Sequence, residues 1–154
     1  MDNQIKIFRP FSPAIGQYQM SKNMIDDINN YIDNIIKNKE RAKKQDHGSH
    51  LAGEVSQEIR IPDEFLKKGL LNFIAYCVKN YIKFCEGEDI KHFNLINSWV
   101  VRQFKNEYNP IHWHSGHVSG VVYLKVPKNF GDSVQKNKIH NYNGEIVFIH
   151  VVKI

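Results

Sequence analysis

The stretch that most constrains this chain runs from Asn109 to Leu124, where three of the protein's eight histidines lie close together. In an extended segment the side chains alternate between faces, so His112 and His114 would project from the same side. Two imidazoles placed in this way can share one metal ion. Residues 118–126 are rich in β-branched and aromatic residues and end at Pro127, which predicts a strand entering a packed sheet. The pattern predicts a His-x-His pair at the mouth of a β-barrel, with His117 in a loop or behind the ligands.

The residue types near the pair narrow the choice of metal. Imidazole suits iron, copper, zinc and nickel, and a non-haem Fe(II) site usually adds a carboxylate. No Asp or Glu occurs between Tyr108 and Gly131, so a third ligand would come from elsewhere or would be another histidine. The alternative is that both histidines are solvent-facing residues of an edge strand with Trp113 pointing inward, because short motifs of this kind also arise by chance.

Several motifs form a wider pattern around the histidines. They are Tyr108-Asn109-Pro110, His112-x-His114-Ser115-Gly116, Ser119-Gly120-Val121 and Tyr123-Leu124-Lys125-Val126-Pro127, with Leu51-Ala52-Gly53, Glu58, Ile59 and Asn97-Ser98-Trp99-Val100 upstream. Over about residues 50–150 this pattern resembles the core of 2-oxoglutarate/Fe(II)-dependent oxygenases, in particular a subgroup common in bacteriophage genomes. The resemblance implies a double-stranded β-helix, Fe(II) held by His112 and His114, and oxidative decarboxylation of the cosubstrate 2-oxoglutarate coupled to hydroxylation of an unknown substrate.

The end of the chain departs from that family. The family places a further histidine on a later strand, followed by an Arg or Lys that binds the distal carboxylate of 2-oxoglutarate. Here Ile154 lies 40 residues after His114, and the residues just before it include no Arg. His150 is an alternative third ligand, although it comes earlier than the family spacing. We therefore predict a truncated oxygenase with an incomplete β-helix and weak or no activity.

The expected fold class is α+β, with an incomplete double-stranded β-helix (jelly-roll or cupin-like) core supported by two N-terminal helices. A length of 154 residues predicts a single domain over 1–154, with helical support over about 1–90 and the β-helix over about 91–154. Cys77 and Cys85 are eight residues apart on one predicted helix and cannot form a disulfide there. Reduced thiols favour the cytoplasm, or the host cytoplasm if the protein is phage-encoded.

The charge pattern bears on partners. A net charge of +5 permits binding to anions, and the densest basic run lies between Lys37 and Lys44. Glu40 interrupts this run and no aromatic residue stands within it, whereas surfaces that bind single strands combine positive charge with aromatic stacking. The run therefore predicts a solvated linker rather than a nucleic-acid interface. No secretory signal and no apolar run long enough to cross a membrane is evident.

Hydrophobic periodicity outlines the N-terminal half. Residues 4–8 alternate as a short strand, and Ser21 is the expected N-cap of a helix whose apolar stripe includes Ile28, Ile32 and Ile35. Residues 38–54 have loop composition and predict surface positions for His47 and His50, followed by an edge strand near 54–61. A second helix is expected from Asp63 to about Phe84, ended by Gly87 as a left-handed cap.

The pattern of the C-terminal half predicts strands. In the resembled family the strand from Phe93 lies beside the metal-bearing one, which implies that one of its faces, with either Trp99, Val101 and Gln103 or Arg102, lines a cosubstrate pocket. The alternative, which we favour, is that Trp99 is a core residue and that Arg102 and Gln103 are ordinary polar residues at the end of a strand. Under the resemblance, the candidate contacts to 2-oxoglutarate are Arg102, Gln103 and Tyr123. Residues 128–143 predict a long loop with an exposed His140, and Asn143-Gly144 then predicts a turn before a buried strand over 145–152.

Two other functional classes stay open. Cupins also place His-x-His on a strand, but they add a Glu a few residues later, where this chain has His117, Val118 and Ser119. The other class is a non-catalytic module whose unpaired strand edges mediate association with itself or with another polypeptide.

Overall fold

The computed structural model describes residues 6–9, 14–50, 52–132 and 141–149, and within them the protein is α+β. Two strands at the start form a hairpin, β1 (Lys6–Phe8) and β2 (Ile15–Gln17), paired antiparallel. Leu51, His140 and His150 lie outside the described residues, as do residues 4 and 5 of the predicted first strand. The side chain of His50 is likewise not described.

Helix α1 (Lys22–Ile36) confirms the first predicted helix. The Ser21 hydroxyl accepts a hydrogen bond from the backbone N–H of Met24 at 3.3 Å, which satisfies one of the donors left free at a helix start. Ile28, Ile32 and Ile35 are buried on one side, as the apolar stripe predicted.

The region predicted as a loop from residue 38 contains a short helix, α2 (Lys39–Lys44). Asn38 caps it by accepting a hydrogen bond from the backbone N–H of Arg41 at 3.0 Å. The Lys, Glu, Arg and Ala residues that follow are strong helix formers, so the loop prediction was wrong here. The basic run is therefore the exposed surface of a helix rather than a linker. A turn of 3₁₀ helix, Gly48–His50, comes next.

Strand β3 (Gln57–Arg60) confirms the predicted edge strand and pairs antiparallel with β4 (Trp99–Arg102). The register places Glu58 opposite Val101 and Arg60 opposite Trp99. The strand expected from Phe93 is thus limited to four residues.

The second predicted helix is divided into three pieces. They are α3 (Asp63–Phe65), a π-helical turn (Leu66–Leu70) and α4 (Leu71–Glu86). Gly69 interrupts them with φ 125°, a conformation that side chains with a Cβ rarely adopt. Gly87 ends α4 in the left-handed region at φ 76°, as predicted. The N-terminal hairpin lies near α4, because the Tyr81 hydroxyl donates to the carbonyl of Ala14 at 2.7 Å.

The core joins α1 to β3 and to the turns that follow it. It consists of Met20, Ile28, Ile32, Ile35, Ile59, Ile61, Phe65, Leu66 and Leu70. Leu124, in the segment after the histidines, packs against this core, and its carbonyl accepts a hydrogen bond from the Asn29 side chain at 3.2 Å. This contact attaches the histidine segment to α1.

The described residues after β4 contain no strand. The predicted strand over 118–126 is not formed, and the described part of the one over 145–152 is not formed either. A segment rich in β-forming residues becomes a strand only when a neighbouring strand pairs with its backbone. These segments have no such neighbour among the described residues, and they expose many of their apolar side chains. The two small sheets agree with the α+β class without forming a jelly-roll. Across the described ranges, no helix has the length and apolar content that a membrane span requires.

Candidate metal centre

The chain enters the histidine segment through a turn held by Glu107. Its carboxylate accepts hydrogen bonds from the backbone N–H groups of Ser56, at 3.1 Å, and Phe104, at 2.7 Å. These bonds favour the ionised form and lower the pKa of Glu107 below its ordinary value. Asn106 turns the backbone with φ 69°, and the N–H of Glu54 donates to the carbonyl of Tyr108 at 3.0 Å. The start of the segment is therefore tied to the residues that precede β3.

A close approach between Gly53 and Asn109 reinforces this connection. A Cβ on Gly53 would collide with the side-chain amide of Asn109, so this position accepts only glycine without movement of the neighbour. Two motifs that are far apart in the sequence, Leu51-Ala52-Gly53 and Tyr108-Asn109-Pro110, thus come together through Gly53 and Asn109.

The structure brings His112 and His114 together. Their Nε2 atoms lie 3.1 Å apart, and the two rings meet edge to face with centroids separated by 4.7 Å. Trp113, between them in the sequence, is 91% exposed. Trp113 does not point inward, as the alternative arrangement required, but both histidines are exposed, as that alternative expected.

A hydrogen bond to Nδ1 of His112 determines which nitrogen of that ring is available to bind a metal. Nδ1 of His112 lies 2.7 Å from the carbonyl of Pro110, and because a carbonyl can only accept, Nδ1 carries the proton in this contact. Nε2 of the neutral ring then carries a lone pair. Loss of hydration beside its ring neighbours, and then the charge of the adjacent His112, lower the pKa of His114, which favours its neutral form.

The pair can be tested against the metal that the family resemblance implies. Metal–imidazole bonds of about 2.0–2.1 Å place two nitrogens about 2.9 Å apart at a right angle and about 3.4 Å apart at a tetrahedral angle. The observed 3.1 Å lies between these values, and it is also a hydrogen-bond distance: with the proton of His112 on Nδ1, the Nε2–H of His114 donates to Nε2 of His112. A cation bound between the two rings would take the place of that proton. Within the described parts of the chain, no set of three His, Cys, Asp or Glu side chains gathers around a common point. The described residues therefore fit two ligands of a metal site.

Trp99 and His47 extend the cluster away from the histidine pair. The indole of Trp99 lies 5.5 Å from the ring of His114 and 5.5 Å from the ring of His47, centroid to centroid. The expectation that His47 is a surface residue was wrong, since its side chain is half-buried and stacks near Trp99. Nothing local in the sequence indicates this, because the contact joins residues 52 positions apart.

The three candidate contacts to 2-oxoglutarate are dispersed. Arg102 forms an ion pair with Asp33 of α1 at 3.5 Å, and since strand residues alternate, it lies on the opposite face of β4 from Trp99. The amide of Gln103 donates to the carbonyl of Glu107 at 2.7 Å, and the Tyr123 hydroxyl donates to the carbonyl of Gly144 at 3.2 Å. Each of these polar groups contacts the protein itself.

Sequence reasoning also missed the environment of Glu58. Its side chain is 2% exposed, and neither carboxylate oxygen has a hydrogen-bond partner. Burial and the nearby Asp46 raise its pKa above the ordinary value. The motif comparison marked Glu58, but its burial depends on the pairing of β3 with β4.

Comparison with known proteins bears on the same region. Residues 97–151, just over a third of the chain, match a family model described as "Putative 2OG-Fe(II) oxygenase". The matched range includes β4, Trp99 and both histidines. No curated protein and no solved structure matches the chain. The resemblance to 2-oxoglutarate/Fe(II)-dependent oxygenases is confirmed over these residues.

Proposed function

We propose that this chain is a 2-oxoglutarate/Fe(II)-dependent oxygenase of reduced activity, in which His112 and His114 are two of the iron ligands. The observation that carries the proposal is the 3.1 Å separation of their Nε2 atoms inside the segment that matches the oxygenase family. We also propose that the fold is a double-stranded β-helix. A cytoplasmic location is part of the proposal as well, because Cys77 and Cys85 would stay reduced there.

Each part of the site has a defined role in this proposal. The Pro110 carbonyl orients the His112 ring and keeps the proton on Nδ1, so that Nε2 faces the metal position. The neutral state of His114 is the form that binds a cation. Fe(II), when bound, supplies the redox chemistry for oxidative decarboxylation of 2-oxoglutarate.

Binding of 2-oxoglutarate at this site requires the three candidate side chains to change partners. Gln103 and Tyr123 would need to exchange their present carbonyl partners for 2-oxoglutarate, and Arg102 would need to leave Asp33. This competition, together with the finding of only two ligands among the residues that the structure describes, is the reason we expect slow turnover. Weak binding of the cosubstrate would also give a high KM for 2-oxoglutarate.

Metal binding is the first test. Fe(II) affinity, measured anaerobically by calorimetry, should fall by about tenfold or more in His112→Ala and in His114→Ala, because each removes a ligand. His117→Ala is the matched control, since His117 is an exposed histidine of the same segment and should leave the affinity unchanged. Equal affinity in the wild type and both ligand variants would refute the assignment.

Turnover is the second test, and it separates the two metal-binding classes. We expect slow, iron-dependent formation of succinate from 2-oxoglutarate, abolished by His112→Ala. Iron binding without any succinate would instead favour a small cupin-like metal protein. A protein that neither binds iron nor forms succinate would instead be explained as a non-catalytic module.

A further inference from the structure

Trp99 contacts two histidines. Its ring is at the same centroid distance, 5.5 Å, from the rings of His114 and His47, with interplanar angles of 50° and 42°. The contact to His114 joins two elements of different kinds. Trp99 belongs to β4, whereas His114 belongs to a segment without regular secondary structure.

The Trp99 side of this contact is firmly held. Its strand is paired with β3 along four residues, and the N–H of Ile61 donates to the carbonyl of Ser98 at 3.0 Å. His47 is attached to the same strand pair, because its backbone N–H donates to the carbonyl of Glu58 at 2.8 Å. Trp99 and His47 therefore occupy positions set by one hydrogen-bonded unit.

The His114 side is held more weakly. Residues 111–120 are all exposed and none of them belongs to a helix or strand. The described ring contacts of His114 are those with His112 and Trp99. Besides its hydrogen bond to His112, the described contact of the His114 ring is the indole of Trp99, which belongs to the paired strands.

We infer that Trp99 is a positioning residue for the histidine pair: its indole packs against His114 and keeps Nε2 of that ring facing Nε2 of His112, while His47 also packs against the indole. The inference rests on the proposed function for its metal, but the geometric part concerns the protein alone. Groups that orient metal ligands commonly contribute about 10- to 100-fold to metal affinity. Trp99 would act by packing rather than by a hydrogen bond.

The decisive variants are Trp99→Leu, which removes the aromatic face, and Trp99→Phe, which keeps one. Trp113→Leu is the matched control, because it makes the same change at a tryptophan that is 91% exposed. Circular dichroism establishes that each variant is folded. Co(II) affinity by calorimetry and the nuclear Overhauser effect between the His112 and His114 ring protons, recorded without metal, are the two measurements.

We expect Trp99→Leu to lose about 10- to 100-fold in Co(II) affinity and to lose the ring-to-ring signal. Trp99→Phe should recover most of both, and Trp113→Leu should match the wild type. Wild-type affinity and an intact ring-to-ring signal in folded Trp99→Leu would overturn the inference. An equal loss in Trp113→Leu would overturn it as well, because the effect would then not depend on the contact with His114.

The two proposals fail in different ways. A wild-type protein that binds no Co(II), but whose ring-to-ring signal disappears in Trp99→Leu, would contradict the metal site and support the positioning role. If Trp99→Leu does not fold, His47→Ala takes its place, since it removes a second ring that contacts the indole and leaves the residues of β4 unchanged. A weakened ring-to-ring signal in His47→Ala would then support the inference, and an unchanged signal would overturn it.

Discussion

At the scale of single residues, Glu58 has the least favourable surroundings for its side chain. A carboxylate loses hydration when it is buried and needs hydrogen bonds or a counter-charge in return. Glu58 is buried beside another acid, Asp46, and its two oxygens have no partners. The folded protein therefore favours the protonated form, and the raised pKa is the direct consequence.

The stability of the protein should depend on pH through this residue. Because the folded-state pKa is raised, the contribution of Glu58 to stability is fully present below its unfolded pKa of about 4.3 and is lost as the pH rises through the folded value. At pH 7, Glu58→Gln should raise the free energy of unfolding by about 1–3 kcal/mol, because it removes a buried unpaired charge. Urea denaturation at pH 7 and pH 4 measures this.

The difference between Glu58→Gln and the wild type should shrink at pH 4, where the wild-type side chain is protonated. Glu54→Gln serves as the control, since Glu54 is exposed and its substitution should change stability by less than about 0.5 kcal/mol. A Glu58→Gln protein that is less stable than the wild type at pH 7 would show that the carboxylate has a favourable partner.

At the scale of elements, local signals account for the helices well. Ser21 begins α1 and Gly87 ends α4, each at the predicted position and by the predicted type of cap. Gly69 is the exception in the second helix. It divides a helix that the sequence predicted to be continuous, because its positive φ is incompatible with a continuous helix.

The N-cap of α1 should make a measurable contribution. Ser21→Ala removes the hydroxyl that accepts the Met24 N–H, so the free energy of unfolding should fall by about 1 kcal/mol. Thermal unfolding monitored at a helix wavelength detects a change of this size. Ser119→Ala, at an exposed serine outside helices and strands, should have no effect, and equal stability of both variants would mean that the cap is unimportant.

At the scale of the whole molecule, apolar exposure is concentrated after β4. Among the described residues, the large apolar side chains that are exposed in this part are Phe104, Tyr108, Ile111, Trp113, Val118, Val121, Val122, Tyr123, Val126, Phe130, Tyr142, Ile146, Val147, Phe148 and Ile149. Monomeric proteins seldom expose apolar surface on this scale, and backbone without a strand partner invites pairing with another chain.

We expect the protein to self-associate through this surface. Sedimentation velocity over a range of concentrations should reveal species larger than the monomer. Val147→Lys, at a side chain that is 74% exposed, should shift the distribution toward the monomer, because it places a charge within the exposed apolar surface. Tyr76→Lys on α4 is the control. A monomer at every concentration would contradict the expectation.

The sequence by itself determined the features that depend on neighbours along the chain. The caps of α1 and α4, the apolar stripe of α1 and the pairing of His112 with His114 all follow from spacings of a few residues, which backbone geometry converts into direction. Tertiary structure decided the rest. Three features depend on residues that are distant in the sequence and are brought together by the pairing of β3 with β4 or by its packing on α1. They are the contacts of Trp99 with His114 and His47, the burial of Glu58, and the ion pair of Arg102 with Asp33. The strands predicted after residue 117 show the same division, because β propensity is local but a strand needs a partner that local sequence does not supply.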